Sequence, residues 1–309
     1  MDQSKIFIAG HNGMVGSAIE RILRSKGYVN LITASRRDLD LLKSNDVKNF
    51  LLREKPDFIF IAAAKVGGVY ANNTYRADFI YQNLMIEANI INSAHLANVQ
   101  NLMFLGSSCI YPRDCPQPIK EEYLLSGLLE KTNEPYAIAK IAGIKLCESY
   151  NLQYKRNYIS VMPTNLYGLK DNYDLMNSHV LPALIRKAHE AKIENKEKLI
   201  VWGSGKPKRE FLFTDDLADA CVFLFESKYK GSLINIGTGE DLSIFELANL
   251  ISQVVGFNGK VEFDTSKPDG TPRKLLDVSR LKNLGWKYKT SLKDGIKISY
   301  NDFKEKFAT

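Results

Sequence analysis

The chain has 309 residues, and 42 Lys+Arg against 35 Asp+Glu leave a net charge of +7. That length accommodates about two modest domains or one large one. With 45% hydrophobic and 25% charged residues, intrinsic disorder and collagen-like structure are excluded. The longest unbroken apolar run, Phe58 to Ala64, is far short of the ~20 residues that span a bilayer. The first apolar stretch stops at Gly10-His11, which is no signal peptide. No membrane partner is expected.

Cys109, Cys115, Cys147 and Cys221 form no C-x-x-C pair, so reduced thiols in a cytoplasmic protein are expected. The histidines show no metal-ligand spacing, and no metal is expected. The surplus positive charge suits an anionic small substrate and is too dispersed to argue for nucleic acid.

In chain order, Lys5–Ala9, Leu31–Ala34, Phe58–Ala62, Leu102–Leu105 and Ile159–Met162 read as buried strands. Between them lie helical patterns at Met14–Ser25, Asp46–Glu54, Phe79–Ala97 and Pro135–Tyr154. This alternation predicts an α/β fold: a Rossmann-type, doubly wound parallel sheet with helices on both faces. Farther on, Leu199–Trp202 and Leu233–Ile236 read as strands, and Asp215–Glu226, Ile244–Val255 and Ser279–Leu284 as helices. Gly203–Pro207 and Lys267–Pro272 read as binding loops or surface turns. The expected division is a nucleotide-binding domain over 1–166, with a returning segment near 209–236. A smaller C-terminal substrate-binding domain is expected over 167–208 and 237–309.

The first strand runs into Gly10-His11-Asn12-Gly13-Met14-Val15-Gly16 and then a helix. The glycines permit a tight turn and close backbone approach, and the helix N-terminus offers free N–H groups to a pyrophosphate. After the second strand, where a NAD site usually carries an acid, stand Arg36 and Arg37. Two guanidinium groups suit a ribose 2′-phosphate, so NADPH is the expected cofactor. The alternative is a solvated basic turn with Asp38 as a displaced ribose ligand.

Tyr136 and Lys140 are spaced i, i+4 at the start of a predicted helix, with Asn133 as its expected N-cap and Pro135 in its first turn. That spacing puts both on one face, where an ammonium is expected to lower the phenol's pKa. The strand Leu102–Leu105 ends at Gly106-Ser107-Ser108-Cys109. With an extended backbone, Ser107 and Cys109 point to the same side. Ser107 would then reach a reacting oxygen beside Tyr136, and Cys109 a neighbouring carbon. On residue grounds alone Ser107 also suits a turn cap, Cys109 a packed thiol and His179 a helix start.

With these motifs the chain resembles the extended short-chain dehydrogenase/reductase family, and within it the epimerase-reductases of GDP-linked 4-keto-6-deoxy sugars. The resemblance spans essentially the whole chain. It is carried by residues 10–16, A-A-A-K-V-G-G-V-Y-A-N-N-T (62–74), G-S-S-C-I-Y-P (106–112), the 133–151 segment, P-T-N-L-Y-G (163–168), N-S-H-V (177–180), V-W-G-S-G (201–205), R-E-F-L (209–212) and K-P-D-G-T-P-R-K-L-L-D (267–277). Asn12, Leu169 and the stretch 172–176 depart from the pattern.

The resemblance implies NADPH-dependent 3,5-epimerisation and 4-reduction of GDP-4-keto-6-deoxy-D-mannose, with a related heptose as the alternative substrate. It implies that Tyr136 donates a proton to the C4 oxygen, Lys140 holds the cofactor ribose and Ser107 supports the oxygen. Cys109 and His179 are implied as base and acid at C3 and C5, whose protons lie α to the ketone. Leu105, Gly106, Ser107, Ser108, Pro163, Thr164, Asn165, Leu166 and His179 are implied to border the cofactor. Lys187, Trp202, Arg209 and Asp277 are implied to contact the nucleotide sugar. A homodimer paired through the Phe79–Ala97 and Pro135–Tyr154 helices is also implied.

Other readings have specific requirements. A 4,6-dehydratase needs carboxylates beside the active-site hydroxyl, and Ser107-Ser108-Cys109 offers none. A C4 epimerase favours retained NAD, against Arg36 and Arg37. A non-catalytic NADP(H)-binding protein would tend to lose Tyr136 and Lys140, and both are present.

Overall fold

The computed structural model describes residues 3–175, 177–267 and 269–307. Met176, in the 172–176 stretch, and Pro268, in the 267–277 motif, lie outside the described residues. The first half folds as β1 (Ile6–Ala9), α1 (Met14–Ser25), β2 (Leu31–Ile32), α2 (Ser44–Glu54), β3 (Phe58–Ile61), α3 (Val69–Thr74), α4 (Arg76–Leu96), β4 (Asn101–Leu105), α5 (Glu134–Tyr154) and β5 (Asn157–Pro163). It continues with β6 (Asn165–Tyr167), α6 (Val180–Ile193), β7 (Lys198–Trp202), β8 (Lys208–Arg209), β9 (Phe211–Phe213), α7 (Thr214–Glu226) and β10 (Leu233–Ile236). Last come β11 (Leu242–Ser243), α8 (Ile244–Val255), β12 (Lys260–Asp264), β13 (Arg273–Lys274), α9 (Ser279–Asn283) and α10 (Leu292–Phe307).

The main sheet is wholly parallel, in the order β10-β5-β4-β3-β1-β2. Its strands are apolar on both faces because helices cover both. Alternation along β1 sends Phe7 and Ala9 into one core with α2, α4 and α5, and Ile6 and Ile8 into another with α1 and α7. A third core joins α6, β7, α8 and α10 around Tyr167, Tyr173, Leu184, Leu247 and Ile296. The predicted strand to Ala34 stops at Ile32, because Ser35–Asp38 closes a turn in which Asp38 accepts from Ser35 Oγ at 2.6 Å. α6 and α10 were not assigned from the sequence. Helix periodicity is visible in both once burial is known, but Pro182 and the Lys-rich α10 obscure it.

The chain passes from β1 to β2 on one side and then crosses back to β3 on the other, so the crevice beyond β1 and β3 is the switch point where open α/β sheets bind ligands. The glycine loop sits there. Gly10 has φ +89°, and a side chain on it would lie 2.7 Å from the Ala63 nitrogen beyond β3. A Cβ on Gly16 would lie 2.2 Å from the Gly10 carbonyl oxygen. Both contacts are with backbone, which cannot swing aside. Gly16→Ala is therefore expected to lower unfolding free energy by about 1–3 kcal/mol, as overpacking does. Chemical denaturation checks this, and an unchanged midpoint and slope would show that the turn relaxes freely.

Candidate active site

The site lies along the carboxyl ends of the sheet. α1 begins at Gly13 with no side-chain cap and no acid in its first turn, which leaves its leading amides to an anion. His11 Nδ1 is buried beside it without a partner. Arg36 and Arg37 are exposed past β2, and among the described residues neither has a hydrogen bond or ion pair. Asp38, the alternative ribose ligand, is committed to the Ser35 turn. These residues fit a phosphorylated dinucleotide: a cradle closed to side chains, unpaired amides and two free guanidinium groups.

At the end of β4 the backbone does not stay extended. Ser108–Ile110 forms a 3-10 turn, and Ser107 Oγ accepts the Cys109 N–H at 3.2 Å. The geometric premise for Ser107 and Cys109 is thus corrected: a tight turn capped by Ser107 itself brings the two side chains together. Ser107 still serves both neighbours, since its hydroxyl interacts with Tyr136 and with the Cys109 thiol. Glu134 and Pro135 open α5 as expected. Asn133 occupies the N-cap position, but its side chain makes no cap bond and its Oδ1 is buried without a partner beside the cavity at Cys109.

Tyr136 and Lys140 share a face of α5, with Lys140 Nζ 5.9 Å from the centre of the Tyr136 ring. The expected lowering of the phenol's pKa is not found. Burial raises it, and the negative charges of Cys109 and Glu87 raise it further against the Ser107 hydrogen bond. Burial is the main cause, and a residue the sequence reading missed adds to it: Glu87 of α4 pairs with Lys140 Nζ at 2.9 Å and offsets its charge. Tyr136 is thereby held as a phenol, the form that donates a proton.

Cys109 has a second missed partner. Lys274 of β13 donates to its Sγ at 3.4 Å. Burial pushes the thiol up, yet Lys274, Ser107 and Arg209 together bring it below the ordinary cysteine value. His179 stands at the N-cap position of α6, open to the cleft. Desolvation by the surrounding protein, then the Lys274 charge, lowers its pKa, so the imidazole rests neutral. The residues before it are held by the 62–74 segment, where Gly68 N–H donates to the Asn177 carbonyl at 2.8 Å.

Farther along the cleft, Lys187 Nζ lies 4.9 Å and Lys267 Nζ 5.6 Å from the centre of the Trp202 ring, which is 57% exposed. The two loops expected as binding segments are tied together, since Asp269 accepts from Ser204 N–H at 2.8 Å and from Ser204 Oγ at 2.6 Å. Arg209 lies between Asp269 and Cys109, electrostatically coupled to both. The Asp277 carboxylate accepts the Ser279 N–H at 2.9 Å at the head of α9, and Asp269 is the acid coupled to Arg209. At the end of β5, Pro163–Leu166 is fixed by Thr164 N–H to the Ile236 carbonyl at 3.0 Å and by Asn165 Nδ2 to the Glu210 carbonyl at 2.8 Å.

The arrangement offers one proton donor (Tyr136), one activated thiol (Cys109), one neutral imidazole (His179) and a cationic path beyond them (Arg209, Lys187, Lys267). Comparison with known proteins is consistent with this chemistry. Residues 6–237 match the NAD dependent epimerase/dehydratase family. The chain is 57% identical over 302 residues to putative GDP-L-fucose synthase 2 of Arabidopsis thaliana, covering 98% of this chain and 92% of that protein. It is 57% identical over 314 residues to the GDP-L-fucose synthase of Escherichia coli K12, covering 99% and 98%. A solved structure of a GDP-mannoheptose C4 reductase from Campylobacter jejuni with NADP bound superposes with a TM-score of 0.91 at 43% identity, over 98% of this chain and 99% of that one. The chain belongs to the NAD dependent epimerase/dehydratase family and, within it, groups with the GDP-L-fucose synthases.

Proposed function

We propose that the protein is an NADPH-dependent 3,5-epimerase and 4-reductase that converts GDP-4-keto-6-deoxy-D-mannose to GDP-L-fucose. The observation that carries this reading is the Lys274–Cys109 contact beside Ser107 and Tyr136. Reduction at C4 needs a proton donor and an oxygen-supporting hydroxyl; it has no use for a thiol activated by a lysine. Abstraction of protons α to the ketone does.

Cys109 is assigned as the base and His179 as the proton carrier for C3 and C5, with Ser107 and Tyr136 holding the C4 oxygen throughout. Tyr136 then gives its proton to that oxygen. NADPH, when bound, supplies the hydride for C4. The glycine loop with Arg36 and Arg37, Leu105–Ser108, Lys140 and Pro163–Leu166 are assigned to holding the cofactor. Lys187, Lys267, Trp202 and Arg209 are assigned to the guanosine diphosphate, by charge and by stacking. The third core, around α6, α8 and α10, supports a separate substrate-binding unit. Tyr81, Leu96, Leu152 and Tyr154, exposed on α4 and α5, support a homodimer through that helix pair. Four free cysteines support a reducing cytoplasm.

A second reading, 4-reduction of a GDP-4-keto heptose, is favoured by the C. jejuni reductase. Deuterium in solvent separates the two. Incubated with GDP-4-keto-6-deoxy-D-mannose in D2O without NADPH, the enzyme is expected to exchange C3 and C5. Rapid reduction after adding NADPH, with no deuterium at either carbon, would leave a plain 4-reductase.

Lys274→Met removes the cation that offsets burial at Cys109, so the thiol's pKa rises and the thiolate forms only at higher pH. The acidic limb of the exchange-rate profile should therefore move to higher pH, with exchange at neutral pH down at least about tenfold, as expected for a weakened general base. An unmoved limb would detach Lys274 from Cys109.

Tyr136→Phe should cut reduction by about 10²–10⁴-fold, the usual share of general acid catalysis, while NADPH still binds. A variant that keeps a tenth or more of wild-type kcat removes Tyr136 from the role. The pair Arg36 and Arg37 should favour NADPH over NADH by about 10- to 150-fold for one charge-assisted contact. Steady-state kcat/KM for both cofactors, in wild type and in Arg36→Ala/Arg37→Ala, checks this: equal wild-type values would contradict it.

A further inference from the structure

Among the described residues, Lys140 and Glu87 form the one ion pair in which both partners are sealed from solvent, each 1% exposed. The pair joins the middle of α4 to the first turns of α5. Lys140 Nζ also lies 4.6 Å from the centre of the Phe104 ring on β4. Neither Glu87 oxygen accepts an aligned hydrogen bond: Oε1 carries the ion pair, and the other oxygen is Oε2. It rests against Gly143, one turn beyond Lys140, where an added Cβ would sit 2.8 Å from Oε2 and 2.5 Å from Phe104 Cζ. The glycine thus leaves the space that the carboxylate fills.

A carboxylate buried with a single cationic partner keeps its charge only through that partner, and the reverse holds for the lysine. Burial does raise the Glu87 carboxyl, against the pull of Lys140. A pair kept only as glue between two helices would gain little, since apolar residues of the same volume do as well or better. An ammonium has three donors, and one ion-paired carboxylate does not exhaust them. A cofactor ribose presents neutral hydroxyls, which accept from an ammonium without replacing its counter-ion.

We propose that Glu87 is the positioning residue and counter-ion of Lys140: it fixes the ammonium's charge and direction so that its remaining donors face the cofactor ribose and Tyr136. This rests on the role given to Lys140 under the proposed function. The titratable groups around the pair are Tyr136 and Cys147 of α5 and, through Tyr136, Cys109 after β4. None of these is a cation that could stand in for Lys140, nor a second carboxylate that could stand in for Glu87.

The test compares Glu87→Gln and Glu87→Asp with wild type in two measurements: NADPH affinity by fluorescence titration from pH 6 to 9, and single-turnover reduction. In Glu87→Gln the ammonium is buried unpaired, and burial favours the neutral amine. NADPH dissociation constants should rise by about 10- to 150-fold, the value of a charged hydrogen bond, and the deficit should widen as pH increases. Glu87→Asp keeps the charge on a shorter arm and should restore the flat pH dependence while binding more weakly than wild type. If Glu87→Gln does not fold, Glu87→Gln/Lys140→Met, which has no unpaired charge, should fold and melt above Lys140→Met alone.

Wild-type affinity and pH dependence in Glu87→Gln, whatever its melting temperature, would reduce Glu87 to helix packing. A Glu87→Asp enzyme with the pH dependence of Glu87→Gln would overturn the counter-ion role. A double variant no more stable than Lys140→Met would do the same. Should the wild-type enzyme bind NADPH but not reduce the GDP-4-keto sugar, the proposed function fails while the binding measurements still decide the role of Glu87.

Discussion

Much of the site hangs on one buried carboxylate, Glu210. Its Oε1 accepts the Gly239 N–H at 2.7 Å and its Oε2 the Leu276 N–H at 3.0 Å, while its own carbonyl receives Asn165 Nδ2 and Thr164 Oγ1. Burial raises its pKa against these donors, so the acid sits there only because the amides meet it. Three segments distant in sequence are thereby held together: the end of β5 with Pro163–Leu166, the loop after β10, and the segment just after β13, the strand that carries Lys274. Arg209 is the residue next door, so the same clamp places the cation that faces Cys109.

From that joint the electrostatics follow. Cations gather at two places, Lys274 and Arg209 at Cys109 and Lys187 and Lys267 at Trp202, and this suits a diphosphate. The charge also stabilises a thiolate at Cys109 and disfavours an imidazolium at His179. On the other side of Ser107 the balance reverses. Burial, with the charges of Cys109 and Glu87, keeps Tyr136 protonated, and Glu87 offsets Lys140. One short turn, Ser107–Ile110, therefore separates a group poised to accept a proton from a group poised to give one. Both share the Ser107 hydroxyl. A ketone oxygen placed there would have its acid and its α-carbon base within the same few residues.

The parts of this design legible in the sequence are those written locally. The strand–helix alternation follows from period-2 and period-3.6 patterns, and the parallel sheet follows from it. Gly10 and Gly16 announce a turn that excludes side chains. Tyr136 and Lys140 announce a shared helix face, because four residues make about one turn. The turn at Ser107–Cys109 was misread because Gly106-Ser107-Ser108 is equally compatible with extended backbone, and the choice is made by the cap bond to Cys109 N–H.

The sequence by itself determined the fold class, the glycine loop at the end of β1 and the shared helix face of Tyr136 and Lys140, because each is a property of neighbouring residues and of backbone sterics. Only the tertiary structure decided how the reacting side chains are charged. Lys274 reaches Cys109 across 165 positions, and Glu87 reaches Lys140 from another helix. Burial and Coulomb interactions depend on distance in space, and no spacing along the chain encodes it.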